Sequence, residues 1–305
     1  MNLSPFFSIV IPCYNRAAFL HHTLQSVLCQ TFSNFEVIFV DDGSTDNTKD
    51  VAGQLQKRDE RFRYIFQPNG ERGRARNNGI KNAKGEFIVF FDSDDEMKPQ
   101  YLQQLHDGIQ KHSNYNFYAG KYKFINNNKE LNSTMKVVPA GEHDICLLLK
   151  GNPFACNFCI RTANANLRFF EDDRNLATTE DWMFLVENLR NDRIMVFDFV
   201  GLYMNQHADR SMQQNNLLIE RRLKATELLL TKLLFSEEEK KILWAHTFHF
   251  CSVHAYLDGN RKLSMRYLLK AMQTGGMKPK WLMALIKYVA GRRWVLTVKE
   301  GRHQK

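Results

Sequence analysis

The 305-residue sequence has no apolar run of eighteen or more residues, so no membrane-spanning helix is expected. Its first residues, Met1-Asn2-Leu3-Ser4-Pro5, lack the basic start and apolar stretch of a signal peptide. Its six cysteines (Cys13, Cys29, Cys146, Cys156, Cys159 and Cys251) follow no disulfide-scaffold spacing, which points to a reducing, cytoplasmic compartment. There is no internal repeat and no low-complexity tract, which excludes a solenoid. No GxGxxG follows the first apolar segment, which disfavours a dinucleotide-binding dehydrogenase. A glycine-rich basic loop near the N-terminus, which would suit a nucleotidyltransferase holding a triphosphate, is also missing. A positive excess is absent from most of the chain. Residues 1–210 hold 24 Lys and Arg against 26 Asp and Glu, whereas residues 211–305 hold 18 against 7. The first two thirds therefore do not resemble a nucleic-acid surface, and the last third is suited to an anionic contact.

What is present reads as an α/β protein. Buried strands are expected at residues 6–12, 35–40, 63–67 and 86–91, each a short apolar run rich in β-branched and aromatic residues. Helices are expected at 17–30, through Val51 and Leu55, and at 73–83. Alternating strands and helices imply a mostly parallel central sheet with helices on both faces. Residues 115–138 suggest strands with a turn at Asn126-Asn127-Asn128, residues 180–189 a helix and 194–203 a strand. Beyond Ser211 the chain is helical, punctuated by Gly259, Gly275-Gly276 and Pro279. The expected division is a catalytic unit over 1–210, with halves 1–112 and 113–210, and a basic helical C-terminal region over 211–305.

In such sheets ligands bind beyond the carboxyl ends of the strands. Two acidic segments fall there: Asp41-Asp42-Gly43-Ser44-Thr45-Asp46 and Asp92-Ser93-Asp94-Asp95. Three carboxylates within four residues repel one another and call for a compensating cation. Hard oxygen ligands suit Mg²⁺ or Mn²⁺, which take one or two carboxylates plus phosphate oxygens. The competing reading is a solvated acidic turn that caps the next helix.

Four segments occur in order: Ile9-Val10-Ile11-Pro12-Cys13-Tyr14-Asn15, Val40 to Asp46, Gly73 to Asn77 before Lys84-Gly85-Glu86, and Phe90-Phe91-Asp92-Ser93-Asp94-Asp95. This set resembles the inverting family 2 glycosyltransferases, which have the glycosyltransferase A fold. The resemblance is strong from Phe7 to His112 and weaker to Ser211. It implies transfer of a sugar from a nucleotide-sugar donor, with UDP favoured, to a glycan or lipid-linked acceptor hydroxyl. Pro12, Tyr14 and Asn15 would border the base, and Asp42 would accept its ring N–H. Gly73, Arg76 and Asn77 would line the ribose and diphosphate, whereas Arg72 and Arg74 read as solvated. Asp92 would lie toward the ribose, and Ser93 and Asp94 also belong to this donor-binding set. Asp94, Asp95 and His207 would meet the metal. An inverting transfer needs a general base opposite the leaving group. Thr178-Thr179-Glu180-Asp181-Trp182 resembles the segment that supplies it, with Asp181 as the base and Glu180 as its neighbour. Trp182 could be an acceptor platform or core, and Arg210 could neutralise phosphate.

A non-catalytic nucleotide-sugar-binding or scaffold protein on the same fold is the alternative. Cys156-Asn157-Phe158-Cys159 has CxxC spacing but no second ligand pair, so core cysteines are expected. His246, His249 and His254 read as packing or surface residues. The cationic, apolar segment 278–294, flanked by Trp281 and Trp294, could lie on a membrane surface or form a hairpin on the catalytic unit. The chain could therefore be peripheral at the inner face of the cytoplasmic membrane, and it could pair as a homodimer.

Overall fold

The computed structural model describes residues 4–126, 129–206 and 215–290. Strands β1 (Phe7–Cys13) and β2 (Phe35–Asp41) are buried at every position, as strands covered on both faces must be. With β3 (Phe62–Phe66) and β4 (Phe87–Phe90) they form a parallel sheet in the order β3-β2-β1-β4. Helices α1 (Ala17–Leu28), α2 (Thr48–Arg58) and α3 (Glu71–Asn82) connect them.

The sheet then continues through later parts of the chain. Next come β5 (Glu96–Met97), α4 (Tyr101–Lys111), β6 (Phe117–Asn126), β7 (Lys129–Asn132) and β8 (Gly141–His143). They are followed by β9 (Cys159–Arg161), α5 (Glu180–Asn188) and β10 (Ile194–Asn205). Strand β9 inserts antiparallel between β4 and β6, and β10 lies parallel to β6. Because β9 opposes both neighbours, β4 and β6 run the same way. Six of the eight strands on the path β3-β2-β1-β4-β9-β6-β10-β5 therefore share one direction, as the alternating pattern implied.

Helices cover both faces. Strand side chains alternate between faces. The Phe7 ring meets Phe32, which in turn meets His106 of α4. Three residues on, Val10 meets Gly79 of α3 so closely that a Cβ there would lie 2.2 Å from Val10 Cγ1. So α3 and α4 lie on opposite faces. The expected strand run 115–138 ends earlier: residues 134–137 form a 3-10 turn, because the Ser133 hydroxyl accepts the Met135 N–H.

Helices α6 (Asn215–Lys232), α7 (Glu237–Leu257), α8 (Arg261–Gly275) and α9 (Pro279–Ala290) follow. A Ser236–Glu239 capping box starts α7. These helices pack on the sheet unit: Arg222 lies 3.3 Å over the Trp182 ring, and His246 Nδ1 is 3.1 Å from the Lys150 carbonyl. Trp281 is fully buried against Ala245, Leu268 and Ala271. It belongs to the helical core and cannot lie on a membrane, while Leu282 and Met283 stay exposed. Trp294 lies outside the described residues. Among those residues no helix is long and apolar enough to cross a membrane.

Candidate active site

The loops at the carboxyl ends of β1, β2 and β4 are tied into one edge. Asn15 adopts a left-handed φ of 51°, which Asn tolerates better than most residues. Its Oδ1 accepts the Thr45 N–H (2.7 Å), and its own N–H reaches Ser44 Oγ (2.9 Å). The Asn15 side chain thus clasps the two loops together. Tyr14 beside it is exposed, whereas Pro12 is buried inside β1.

Asp42 is buried, and its Oδ1 accepts from Gln67 Nε2 (2.7 Å) and the Gly70 N–H (2.9 Å). Its Oδ2 accepts only a longer bond, 3.2 Å, from Asn69 Nδ2. A carboxylate has about four acceptor positions, so Oδ2 keeps capacity for a further N–H donor. The neighbouring Asp41 is fully buried and accepts from the Ser44 N–H and the Tyr64 hydroxyl.

In the acidic loop after β4, the three carboxylates diverge. Asp92 pairs with Arg76 at 2.9 Å and Asp94 faces Arg16 at 3.6 Å. Asp95 is buried, and its Oδ1 accepts the Asn205 N–H of β10. Ser93 is buried, and its carbonyl accepts from Thr23 of α1. Among the described residues no three His, Cys, Asp or Glu side chains converge on one point. Asp92 and Asp94 are partly exposed, at 29% and 17%, and Asp95 is turned toward β10. His207 and Arg210 lie outside the described residues.

Arg76 is the hinge of the site. Only 2% exposed, it donates to Asp92 (2.9 Å) and to Glu180 (3.1 Å), 104 residues away. Burial opposes its charge, but the carboxylates of Asp92, Glu180 and Asp181 more than offset this and raise its pKa. Arg72, expected to be merely solvated, lies 3.6 Å from Glu180. Next to Glu180, Asp181 is half-buried. Its Oδ1 accepts the Trp182 N–H (2.7 Å) and its Oδ2 accepts from Asn152 (3.0 Å). Burial first, then the Glu180 charge, pushes the Asp181 carboxyl up to about 6. Such a group is ionised at neutral pH yet basic enough to take a proton.

Just before this pair, Thr178 holds φ at 74°, an unusual conformation for a β-branched residue. Three polar atoms, Thr178 Oγ1, Glu180 Oε2 and Arg76 Nε, are buried there without a partner among the described residues. Strain and unmet hydrogen-bonding capacity in one place are features of a ligand site.

Gly73 and Asn77 pack against the segment that follows β9. A Cβ on Gly73 would lie 2.2 Å from the Glu171 carbonyl oxygen, and the Asn77 amide makes two bonds to the Phe170 backbone. Both hold the 170–171 segment against α3 and thereby set the Phe170 ring beneath the Arg76 guanidinium, 5.5 Å away. Gly73→Ala should lower the unfolding free energy by roughly 1–3 kcal/mol, since the clash outweighs the helical preference of alanine, near 1 kcal/mol. Chemical denaturation checks this.

Trp182 is core, not platform: it is 1% exposed and donates to the Leu148 carbonyl. Cys156 and Cys159 are buried and free. Asn152 and Arg16, which position Asp181 and Asp94, escaped notice because single polar residues in turns carry no sequence signal.

This fold, with an acidic cleft at the strand ends, is that of the glycosyltransferase A class. TarS of Staphylococcus aureus, solved with UDP-GlcNAc, superposes with a TM-score of 0.67 at 23% identity, over 88% of this chain and 81% of that one. Mannosyltransferase PcManGT of Pyrobaculum calidifontis, solved with GDP-Man and Mn²⁺, gives 0.57 at 15% identity, over 95% and 81%. The model of glycosyl transferase family 2 matches residues 8–177, more than half of the sequence, and the chain belongs to this family. Glycosyltransferase GlyG of Streptococcus pneumoniae is 39% identical over 110 residues, 36% of each chain. The matched stretch spans about a third of the length of such curated relatives.

Proposed function

We propose that the protein transfers a sugar, with inversion, from a UDP-sugar to a hydroxyl of a glycan or lipid-linked acceptor. The observation that carries this reading is the Arg76 bridge, which brings the acidic loop after β4 and the start of α5 to one point. Residues 1–112 would hold the donor and 113–210 the acceptor, with 211–305 bracing the acceptor side. Asp42 Oδ2 would take the imide N–H of uracil, and Tyr14 would flank the ring. Asp94, with Asp95 and His207 as further candidate ligands, would hold Mg²⁺ or Mn²⁺. The bound cation would supply charge neutralisation of the leaving diphosphate. Asp181 would take the proton of the acceptor hydroxyl as its oxygen attacks the anomeric carbon. Asn152 orients that carboxylate, and Glu180, fixed by Arg76, keeps its basicity high. The free cysteines support a reducing, cytoplasmic setting.

The test is a panel of nucleotide sugars scored by release of nucleoside diphosphate, with product stereochemistry read by NMR. UDP-sugars should turn over and invert. Release from no donor would overturn the reading in favour of a binding protein. A second expectation concerns the cation: Mn²⁺ should tighten UDP binding at least about tenfold in the wild type, and Asp94→Ala should abolish that gain. Calorimetric titration measures it.

A further inference from the structure

Arg222 is a buried cation with no ion-pair partner among the described residues. It projects from α6, is 6% exposed, and packs over Trp182 with its Cζ 3.3 Å from the ring centroid. Phe250 lies on another side, 5.5 Å away. Among the described residues no carboxylate lies within ion-pair distance of it, unlike Arg76, which has two. Its Nε is enclosed and has no acceptor among the described residues. Burial draws its pKa down to about 9, and the charge of Asp181 partly opposes that fall. The group therefore stays protonated at neutral pH, within the electrostatic reach of the candidate base. Burying an unpaired charge is costly, and a flat guanidinium on an indole presents its fork to a planar or tetrahedral oxyanion.

We propose that Arg222, braced on Trp182, is the seat for an anionic group, a phosphate or a carboxylate, carried by the acceptor. This rests on the transferase reading above and names its acceptor class. Trp182 follows Asp181 directly, so an anion held by Arg222 would anchor the acceptor beside the base. A charge-assisted pair of this kind is worth roughly ten- to a hundredfold in affinity.

The experiment titrates glycerol phosphate, glucuronate and neutral glucose into wild type, Arg222→Lys and Arg222→Met, with UDP and Mn²⁺ saturating so that the donor site is filled. Tryptophan fluorescence reports the stacked Trp182. One or both anions should bind the wild type and bind Arg222→Met at least about tenfold more weakly, with Arg222→Lys between them. The tighter of the two anions identifies the acceptor group. The methionine variant should melt no lower than wild type, since an apolar side chain replaces an unpaired buried charge. Equal anion binding by wild type and Arg222→Met, or no preference over glucose, overturns the proposal. Absence of UDP binding in all three proteins would count against the transferase reading, while the Arg222-dependent difference would still report the anion seat.

Discussion

Asp181→Asn should lower kcat by about 10²- to 10⁴-fold, the usual contribution of a positioned general base, with donor KM nearly unchanged. The asparagine keeps the shape and one acceptor but cannot take a proton. On this reading the base works only when ionised, so activity should be lost as the pH falls through about 6. The acid limb of kcat/KM should therefore have unit slope and bend near that pH. Stability runs the other way. A carboxyl held above its ordinary value is more easily protonated in the folded chain than in the unfolded one. Its contribution favours the fold below about pH 4, and that advantage is lost as the pH rises to about 6. The asparagine removes this ionisation cost but puts the Asn152 hydrogen bond at risk, worth about 1 kcal/mol. The variant should therefore melt no more than a degree or two below wild type at pH 7.5. A dead enzyme that stays folded separates chemistry from structure; a variant retaining full kcat would move the base elsewhere.

Arg76→Met should be the most damaging single change to the fold of the site. It leaves Glu180, 4% exposed at its side chain, without its closest counter-charge and removes one partner of Asp92. Breaking a buried pair by removing one partner costs about 3–5 kcal/mol. The melting temperature should fall by roughly 10 °C, and UDP binding should weaken because the acidic loop loses its anchor. Arg76→Lys should recover only part of both, since one ammonium cannot span two carboxylates as a fork does. Differential scanning calorimetry and UDP titration on the two variants measure these effects. A stable Arg76→Met protein with normal UDP affinity would show that the bridge is dispensable.

The parallel sheet was legible because strands covered on both faces are mostly apolar, as 7–13 and 35–41 are apart from Ser8, Glu36 and Asp41. Strands β5, β8 and β9 were not: two or three residues long, they exist only through their neighbours. The acidic residues were legible for a related reason, since Asp92, Asp94, Glu180 and Asp181 interrupt apolar context at strand or helix ends. What sequence does not carry is convergence across long separations. Nothing local links Arg76 to Glu180, or Arg222 to Trp182. Gly73 and Asn77 show the converse: residues within a donor-site motif that act by packing the 170–171 segment.

The most direct measurement is a crystal structure of the protein with UDP and Mn²⁺, collected at a wavelength where manganese scatters anomalously. The anomalous peak should lie between the Asp94 carboxylate and the diphosphate, with uracil N3 on Asp42 Oδ2 and the open side of the β-phosphate facing Asp181. A nucleotide bound away from the ends of β1, β2 and β4, or a manganese peak remote from Asp94, would contradict the account.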